Sequence, residues 1–519
     1  MSEQERFSRR KFLRRLSSGL ALTTVGCLAS VVASKTTWAQ AKAPETASKT
    51  YTLAPWTGDD FTLGHQLRNH EIPEFPKNVE RTVDFVIIGG GIAGLASAYN
   101  LRHHNFLLLE QYDTLGGQSR GSSYQGIGYS YGAAYMTDMR NGVGDFLASL
   151  SLKPIELSPQ KNAWHWENKW SKGVEGAAGN KLYSEFKHFL ADCKPMWKQL
   201  DRVVNPVPLK DADLAKLDSV VFSSVLKGYS PAFMALIDAF LRSSNCAGVD
   251  GLSALAAIES LEELTGPSYV FPGGNPTLAK ALIDQIKGPR CAQGFVWSVE
   301  VADGKSTVVY TGKDGHLHKV ACKHVIIAAP PLVAARIMKG IPDATKSLLL
   351  SCKYGSYLVA NLLMKRRRFI GSYDNWVAPP FTFADITIAE TPYMENKTYK
   401  EQMGSVLTIY QPYPPSSAGR PLLLGGDREK FADSILSQMS QLVGNIEKDV
   451  ESVVLSRWGH AMAITSPGFF AKISKLNDTT ASGYTFAHCS TQGLACAESA
   501  IIAARLAANR ALGKHSGRS

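Results

Sequence analysis

The apolar positions between residues 83 and 121 predict a strand, a glycine turn, a helix and a second strand in close succession. The apolar run 85–88 is unbroken, which is typical of a strand buried on both faces of a parallel sheet. Glu110 ends the second apolar run, where an acid can accept a hydrogen bond from a ribose hydroxyl. Three glycines lie between these two apolar runs: Gly89, Gly91 and Gly94. They allow a sharp turn, close approach of the backbone to a phosphate and tight packing of the helix on the strand. This order predicts a dinucleotide-binding unit with a pyrophosphate at the helix N-terminus.

The stretch from residue 151 to residue 264 has a helical pattern instead. Apolar residues recur at helical spacing from Lys181 to Val204, which predicts an amphipathic helix whose aromatic stripe packs in a core. Ser230, followed by Pro231, and Ser253 are residue types preferred at helix N-termini. We therefore expect a mainly helical insertion in this part of the chain.

Strand-like patterns return in the second half of the chain. A hairpin turn is expected at Asp314-Gly315, and residues 325–331 predict a buried strand that ends in a stiff Pro-Pro turn. Residues 340–455 mix strand-like runs with a helix predicted over about 430–452. The C-terminal segment predicts a strand, a glycine turn and a buried helix.

The first 41 residues have the layout of an export signal. A basic start precedes an apolar run from Leu16 to Ala33, and Ala-Gln-Ala at 39–41 is a small-x-small cleavage site. The run Ser-Arg-Arg-Lys-Phe-Leu at 8–13 resembles the twin-arginine signal. That resemblance implies export in the folded state through the twin-arginine machinery, with a cofactor inserted beforehand. We therefore expect a periplasmic protein, with residues 42–80 as a linker and N-terminal arm that packs on the first domain.

The net charge of +11 changes this picture little. Residues 1–41 contain seven Lys or Arg and two Glu, which leaves a charge of +6 for the rest. A mildly basic protein requires no nucleic-acid partner. Seven cysteines remain once Cys27 is removed with the signal, and none forms a close metal-type pair. We expect no metal site and read most of these cysteines as buried small apolar residues.

Over roughly residues 80–510 these motifs resemble the flavin-containing amine oxidase superfamily. The glycine turn and Glu110 match the family's FAD pyrophosphate and ribose contacts, and Gly116-Gly117 match its second glycine pair. Val296 begins a run that resembles the strand whose first valine contacts adenine. The FAD-binding residues implied by the resemblance are Gly89, Gly91, Ile92, Ala93, Gly94, Glu110, Gln111, Gly116, Gly117, Gln118, Arg120, Gly132, Ala133, Ala134, Tyr135, Val296, Ala329, Trp458, Gly493, Leu494 and Ala495.

A chain of 519 residues is too long for one compact core, so two domains are expected. The resemblance implies an α/β fold in which a Rossmann-type FAD-binding domain is interleaved with a mixed helix and sheet substrate domain. The expected FAD-binding domain is discontinuous and comprises residues 81–150, 265–339 and 456–519. The expected substrate domain comprises residues 151–264 and 340–455.

Some positions depart from the family pattern. Gln118 stands where relatives usually have an arginine, which makes Arg120 the candidate for the phosphates. Arg336 falls where amine oxidases often hold a lysine near flavin N5, and Leu494 replaces a tyrosine of the pair that aligns small amines. No cysteine lies at 457–461, where some relatives link the flavin covalently, so noncovalent FAD is expected.

The candidate catalytic and substrate-side residues are Trp458 and His460, followed by Tyr135 and Arg336. Judged by residue type alone, His460 is as consistent with a structural role as with a substrate-side role. By the same reasoning, Trp458 is more consistent with a position in the core than with a position in the cavity wall. Its place in the segment that relatives turn toward the flavin makes it a candidate.

The resemblance implies oxidation of the C–N bond of a small-molecule amine, with polyamines among the candidates. Hydride would pass from the carbon beside nitrogen to flavin N5 and leave an imine. The electron acceptor stays open between oxygen and a partner such as a periplasmic c-type cytochrome. Two other classes stay open as well: an FAD-dependent desaturase or oxidase of C–C bonds in a hydrophobic substrate, of the porphyrinogen or carotenoid type, and a noncatalytic flavoprotein.

Overall fold

The computed structural model of the chain describes residues 50–198, 200, 212–286, 291–302, 305–368, 371–478 and 483–514. The predicted export signal lies outside the described residues. Within them the strands form two large sheets and two small antiparallel pairs. No helix in this part of the chain is both long enough and apolar enough to cross a membrane.

The first large sheet, called the nucleotide sheet below, is built around the predicted glycine-turn strand. Its parallel strands are, in spatial order, Cys291–Ala302, Phe106–Glu110, Arg81–Ile88, Leu317–Ile327 and Tyr484–Phe486. The strand Lys305–Gly312 pairs antiparallel with the first and fourth of these, and the short strand Met338–Lys339 pairs with the first. All five residues of Phe106–Glu110 are buried, as expected for a strand covered on both faces. The α/β prediction is confirmed.

Helices cover both faces of the nucleotide sheet because successive strand residues point to opposite sides. On one face, Ile87 and Leu108 pack with the helices Ile92–Asn100, Val143–Ser149, Pro276–Gln285 and Ala497–Ala511. On the other face, Val86 and Leu107 pack with the helices Thr62–Arg68, Pro331–Ile337 and Asp343–Leu350. The sheet is therefore held between two apolar layers.

The second large sheet, called the substrate sheet below, has nine strands among the described residues. Eight follow one path, Thr52–Leu53, Val450–Ala463, Tyr354–Met364, Ser405–Tyr413, Asp385–Ile388, Asp374–Val377, Ala163–Trp166 and Lys169–Lys172, and Thr57–Gly58 also pairs with Val450–Ala463. One face packs on the helix Arg428–Val443. The other packs on a helical layer formed by Gly173–Trp197, Ala212–Ser219, Pro231–Asn245, Ala254–Ser260 and Phe469–Asp478.

Short elements complete the described fold. The two small antiparallel pairs join Gly121–Tyr124 to Ile127–Ser130 and Ser268–Val270 to Ile155–Leu157. The remaining short helices are Thr391–Glu395 and Gly419–Gly425, with 3-10 turns at Gly117–Ser119, Pro159–Lys161, Phe222–Val225, Leu261–Leu264, Glu447–Asp449 and Cys489–Thr491.

Both predicted serine caps are confirmed. The Ser230 hydroxyl accepts a hydrogen bond from the backbone N–H of Phe233, and the Ser253 hydroxyl accepts one from Ala256, each at 3.2 Å. These bonds satisfy N–H groups that have no partner within the first helical turn. They position the two helices that reach the cavity described below.

One predicted element needs correction, and another prediction holds but is incomplete. The helix expected over 430–452 ends at Val443, because Gly444 has φ of 79° and breaks the helix, and a strand begins at Val450. The insertion expected to be mainly helical also contains the strands Ala163–Trp166 and Lys169–Lys172, which extend the substrate sheet. Aromatic residues in these two strands match helix and strand patterns equally well over so short a length.

The predicted domain boundary at residue 456 falls inside a continuous strand. Val450–Ala463 pairs with Tyr354–Met364 from one end to the other, so it belongs to the substrate sheet. The N-terminal arm contacts both units. Its strand Thr52–Leu53 pairs with Val450–Ala463, whereas Leu67 packs in the core of the nucleotide sheet.

Candidate functional site

The nucleotide end of the site is a pair of facing glycine turns. Gly91 pairs with Gly116 in an isolated bridge, and a Cβ atom on Gly117 would lie 2.9 Å from the Cα atom of Gly91. A Cβ atom on Gly91 would meet no atom closer than 3.9 Å, so open space remains beside its backbone. Helix Ile92–Asn100, which contains Ile92, Ala93 and Gly94, begins at this point and directs free N–H groups into that space.

Glu110 lies at the end of its strand, next to this turn, and is buried. One carboxylate oxygen accepts a hydrogen bond from the backbone N–H of Gly90 at 2.6 Å, and the other accepts one from Tyr112 at 3.1 Å. Burial raises the pKa of Glu110 and outweighs the effect of these hydrogen bonds. Gln111 follows and is exposed.

Two further predicted residues lie on neighbouring strand segments. Val296 is buried on the strand that pairs with Phe106–Glu110, and Ala329 follows the strand Leu317–Ile327. A Cβ atom on Gly89 would lie 3.2 Å from the backbone nitrogen of Ala329, so the two segments touch at the turn.

Arg120 links the glycine turn to the N-terminal arm. Its guanidinium donates to the carbonyl oxygens of Gly58 at 2.7 Å and Gly117 at 3.1 Å. The same group lies 4.4 Å from the ring centroid of Tyr112 and 5.6 Å from that of Trp458. Arg120 thus lies between the nucleotide end and the cavity.

A cavity of about 190 Å³ is lined by strands of the substrate sheet, by residues of the segment 132–137, by parts of the helical layer and by the start of the helix Ala497–Ala511. Gln118 reaches into this region and donates to the carbonyl oxygen of Ala461 at 2.7 Å. The structure brings together here the predicted residues Gln118, Gly132, Ala133, Ala134, Tyr135, Trp458, Leu494 and Ala495. Gly493 precedes the last two, and a Cβ atom there would lie 3.3 Å from the Phe470 ring.

The cavity also contains residues that sequence reasoning missed. Tyr410 donates to the carbonyl oxygen of Gly132 at 2.9 Å, and Tyr135 donates to Glu263 at 3.0 Å. The missed lining residues with polar side chains include Ser243, Asn245, Glu263, Tyr357, Asp385, Tyr410 and Glu498. A signal existed for Asp385, because an acid within a short apolar strand is uncommon.

Glu498 is fully buried in the first turn of the helix Ala497–Ala511 and lines the cavity. One carboxylate oxygen accepts from the backbone N–H groups of Thr137 and Asp138. The other, Oε2, makes no hydrogen bond within the described part of the chain. A flavin dinucleotide fits these three features together: the open space over Gly91, the small residues at 132–134 and the Glu498 oxygen that has no hydrogen-bond partner among the described residues.

A pair of carboxyl groups lies at the side of the cavity formed by the substrate sheet. Asp385 lines the cavity, and Asp374 lies on the adjacent strand. Burial, followed by the neighbouring carboxylate of Asp385, holds the pKa of Asp374 well above its usual range. Burial also raises the pKa of Asp385. Two such groups that close together favour a shared proton.

The structure places Arg336 and His460 outside the residues that line the cavity. Arg336 is exposed and interacts electrostatically with Arg68 and His65. His460 packs against the Tyr354 ring, and burial, with Arg420 nearby, lowers its pKa to about 4.

The register between two strands explains where His460 points. Tyr357 pairs with Trp458 and Gly355 pairs with Met462, so the longer strand carries two extra residues between these pairs. Such a bulge redirects side chains. Trp458, Ala461 and Met462 consequently line the cavity and His460 does not.

A parallel sheet with paired glycine turns, joined to a cavity under a second sheet, defines a dinucleotide-dependent class of protein. The chain belongs to the family of flavin-containing amine oxidoreductases, whose sequence model matches residues 92–512. Flavin-containing amine oxidase A of Equus caballus is 21% identical over 277 residues, which are 49% of this chain and 51% of the horse protein. The chain therefore spans about half the length of this curated relative in the match.

Solved structures show the same fold. Putrescine oxidase bound to putrescine is similar with a TM-score of 0.66 and 17% identity, covering 83% of this chain and 99% of that chain. Cyclohexylamine oxidase from Brevibacterium oxydans IH-35A is similar with the same TM-score, identity and coverage. At 17% identity, the similarity to these two structures shows a shared fold and nothing more specific.

Proposed function

We propose that this protein is an exported FAD-dependent oxidoreductase that oxidises the C–N bond of an amine. Family membership supports the flavin, and the carboxyl groups of the cavity supply the observation that carries the choice of an amine. Buried carboxylates attract cationic substrates and oppose the burial of a wholly apolar one. An amine therefore suits this cavity better than the C–C substrate of a porphyrinogen or carotenoid type of enzyme.

Particular residues of this chain would hold FAD noncovalently. The glycine turns at Gly91 and Gly117 would contact the pyrophosphate, and Glu110 would accept from the ribose. Small residues at 132–134 would lie against the flavin ring. When bound, FAD supplies the acceptor for hydride removed from the carbon beside nitrogen.

The cavity residues would position the substrate and exclude water. Trp458 is 4% exposed, and its indole N–H donates to the carbonyl oxygen of Tyr131 at 2.8 Å, which fixes the ring. Tyr357 is similarly buried, and its hydroxyl donates to the carbonyl oxygen of Ser243. Rigid aromatic walls of this kind hold a substrate in one orientation, which is the main task when the cofactor performs the chemistry.

We expect anaerobic addition of an amine from a panel of monoamines, diamines and polyamines to bleach the flavin of the purified holoprotein. Hydride transfer removes the visible flavin absorbance without requiring any assumption about the electron acceptor. Absence of bleaching by every amine, combined with bleaching by a porphyrinogen, would favour the C–C alternative. A dithionite-reduced protein that neither oxygen nor a c-type cytochrome reoxidises would favour a noncatalytic flavoprotein.

We also propose a periplasmic location, reached in the folded and flavin-loaded state through the twin-arginine machinery. Replacing both Arg9 and Arg10 with lysine keeps the charge but removes the signal, so the flavoprotein should remain in the cytoplasmic fraction. The matched control replaces Arg14 and Arg15 with lysine and should leave export unchanged. Equal periplasmic amounts of all three proteins in a fractionation blot would contradict this route.

A further inference from the structure

The strand pairing of the substrate sheet places two aspartates side by side. Asp374 lies opposite Thr387 and Asp385 lies opposite Trp376, so the two aspartates are diagonal neighbours on one face. Tyr410 pairs with Asp385 from the other side and also lines the cavity. Asp385 therefore lies at the cavity wall, and Asp374 lies beside it, further from the cavity.

These carboxyl groups are buried, and among the described residues each has the other acid, with no basic residue, as a hydrogen-bond partner. Asp374 is 1% exposed and Asp385 is 5% exposed. The two carboxyl groups lie within hydrogen-bonding range of each other, whereas no other donor in the described part of the chain makes a hydrogen bond with Oδ1 of Asp385. An acceptor buried in this way is costly unless a ligand or another donor satisfies it.

The surroundings of the pair add negative charge and no positive charge. The nearby titratable groups are Glu263, Tyr135, Tyr373 and Tyr410. Of the described residues that line the cavity, none is a lysine, arginine or histidine. Burial raises the pKa of both aspartates, and two carboxyl groups this close favour holding one proton between them, which leaves about one negative charge on the pair. A single ammonium group would balance that charge and donate up to three hydrogen bonds.

We propose that Asp385, supported by Asp374, binds a second ammonium group of the substrate, in addition to the amine that is oxidised. The preferred substrates are therefore diamines or longer polyamines. This inference rests on the proposed amine oxidation, since it takes the same cavity to be the substrate site. It assigns a specificity role to two residues that are separate from the glycine turns and from Trp458.

Binding can be measured without turnover in dithionite-reduced holoprotein, because the reduced flavin cannot accept a hydride. Calorimetric titration at pH 7.5 should show that 1,4-diaminobutane binds at least about tenfold more tightly than n-butylamine. Asp385→Asn should weaken 1,4-diaminobutane on the order of 100-fold, the typical loss when one partner of a buried charge pair is removed. It should weaken n-butylamine much less, because a monoamine needs only the position of the amine that is oxidised. Lowering the pH to 5.5 should weaken the diamine more than the monoamine, because protonation of Asp385 removes the negative charge.

The matched control is Glu451→Gln, the same carboxylate-to-amide change at an exposed position of the same sheet. It should bind both amines as the wild type does. Equal affinity of the wild type for the two amines overturns the proposal without any variant, as does an equal loss of both amines in Asp385→Asn. If the diamine binds selectively but bleaches no oxidised flavin, the ammonium site stands and the proposed oxidation fails.

Discussion

Replacing Gly94 with alanine should yield a protein that does not retain flavin. A Cβ atom at this position would lie 1.7 Å from the carbonyl oxygen of Gly89 and 2.9 Å from its carbonyl carbon. Both contacts are with backbone, so no side chain can move aside. The helix would have to separate from the strand, which would displace the N–H groups that face the open space over Gly91. The flavin-to-protein absorbance ratio after purification measures this effect.

Gly64→Ala is the matched control, because Gly64 is also a helical glycine, but beyond its own helix no atom of the described residues lies within 4 Å of its added Cβ. It should retain flavin fully and gain up to about 1 kcal/mol of stability from its higher helix propensity. A Gly94→Ala protein with a wild-type absorbance ratio and a wild-type melting temperature would show that the close helix contact is not required.

Sequence reasoning succeeded in the nucleotide half because its signals are local. The strand Arg81–Ile88, its turn and the helix Ile92–Asn100 are contiguous, and each carries its own pattern of apolar or small residues. The serine caps at 230 and 253 are local signals as well, and both hold. For such elements, the residues that determine the structure are also the residues that display the pattern.

The cavity was harder to predict, because it is formed by contacts between segments that are far apart in the sequence. Asp374 and Asp385 become neighbours only through strand pairing, and Glu263 joins them from a different layer of the fold. The position of His460 depends on a bulge whose extra residues appear only when two strands are aligned. No periodicity within either strand reveals that register, so the substrate side could be predicted only in part, through residues such as Trp458.

Trp458→Ala should lower the free energy of unfolding by about 3–5 kcal/mol, the usual cost of truncating a buried tryptophan. Trp458 is 4% exposed in the core under the substrate sheet and also forms part of the cavity wall. Truncation removes that wall and leaves the carbonyl oxygen of Tyr131 without its indole donor. Water would then enter beside the flavin site, so bleaching by amines should slow and the flavin absorbance spectrum should shift.

Trp164→Ala separates the loss of core packing from the loss of the cavity wall. Trp164 is also 4% exposed in the same core and stacks on Phe240, but it does not line the cavity. We expect a similar loss of stability in denaturant titrations, with the flavin spectrum and the bleaching rate close to wild type. If both variants change the flavin spectrum equally, Trp458 acts through general packing, and its position beside the cavity has no separate role.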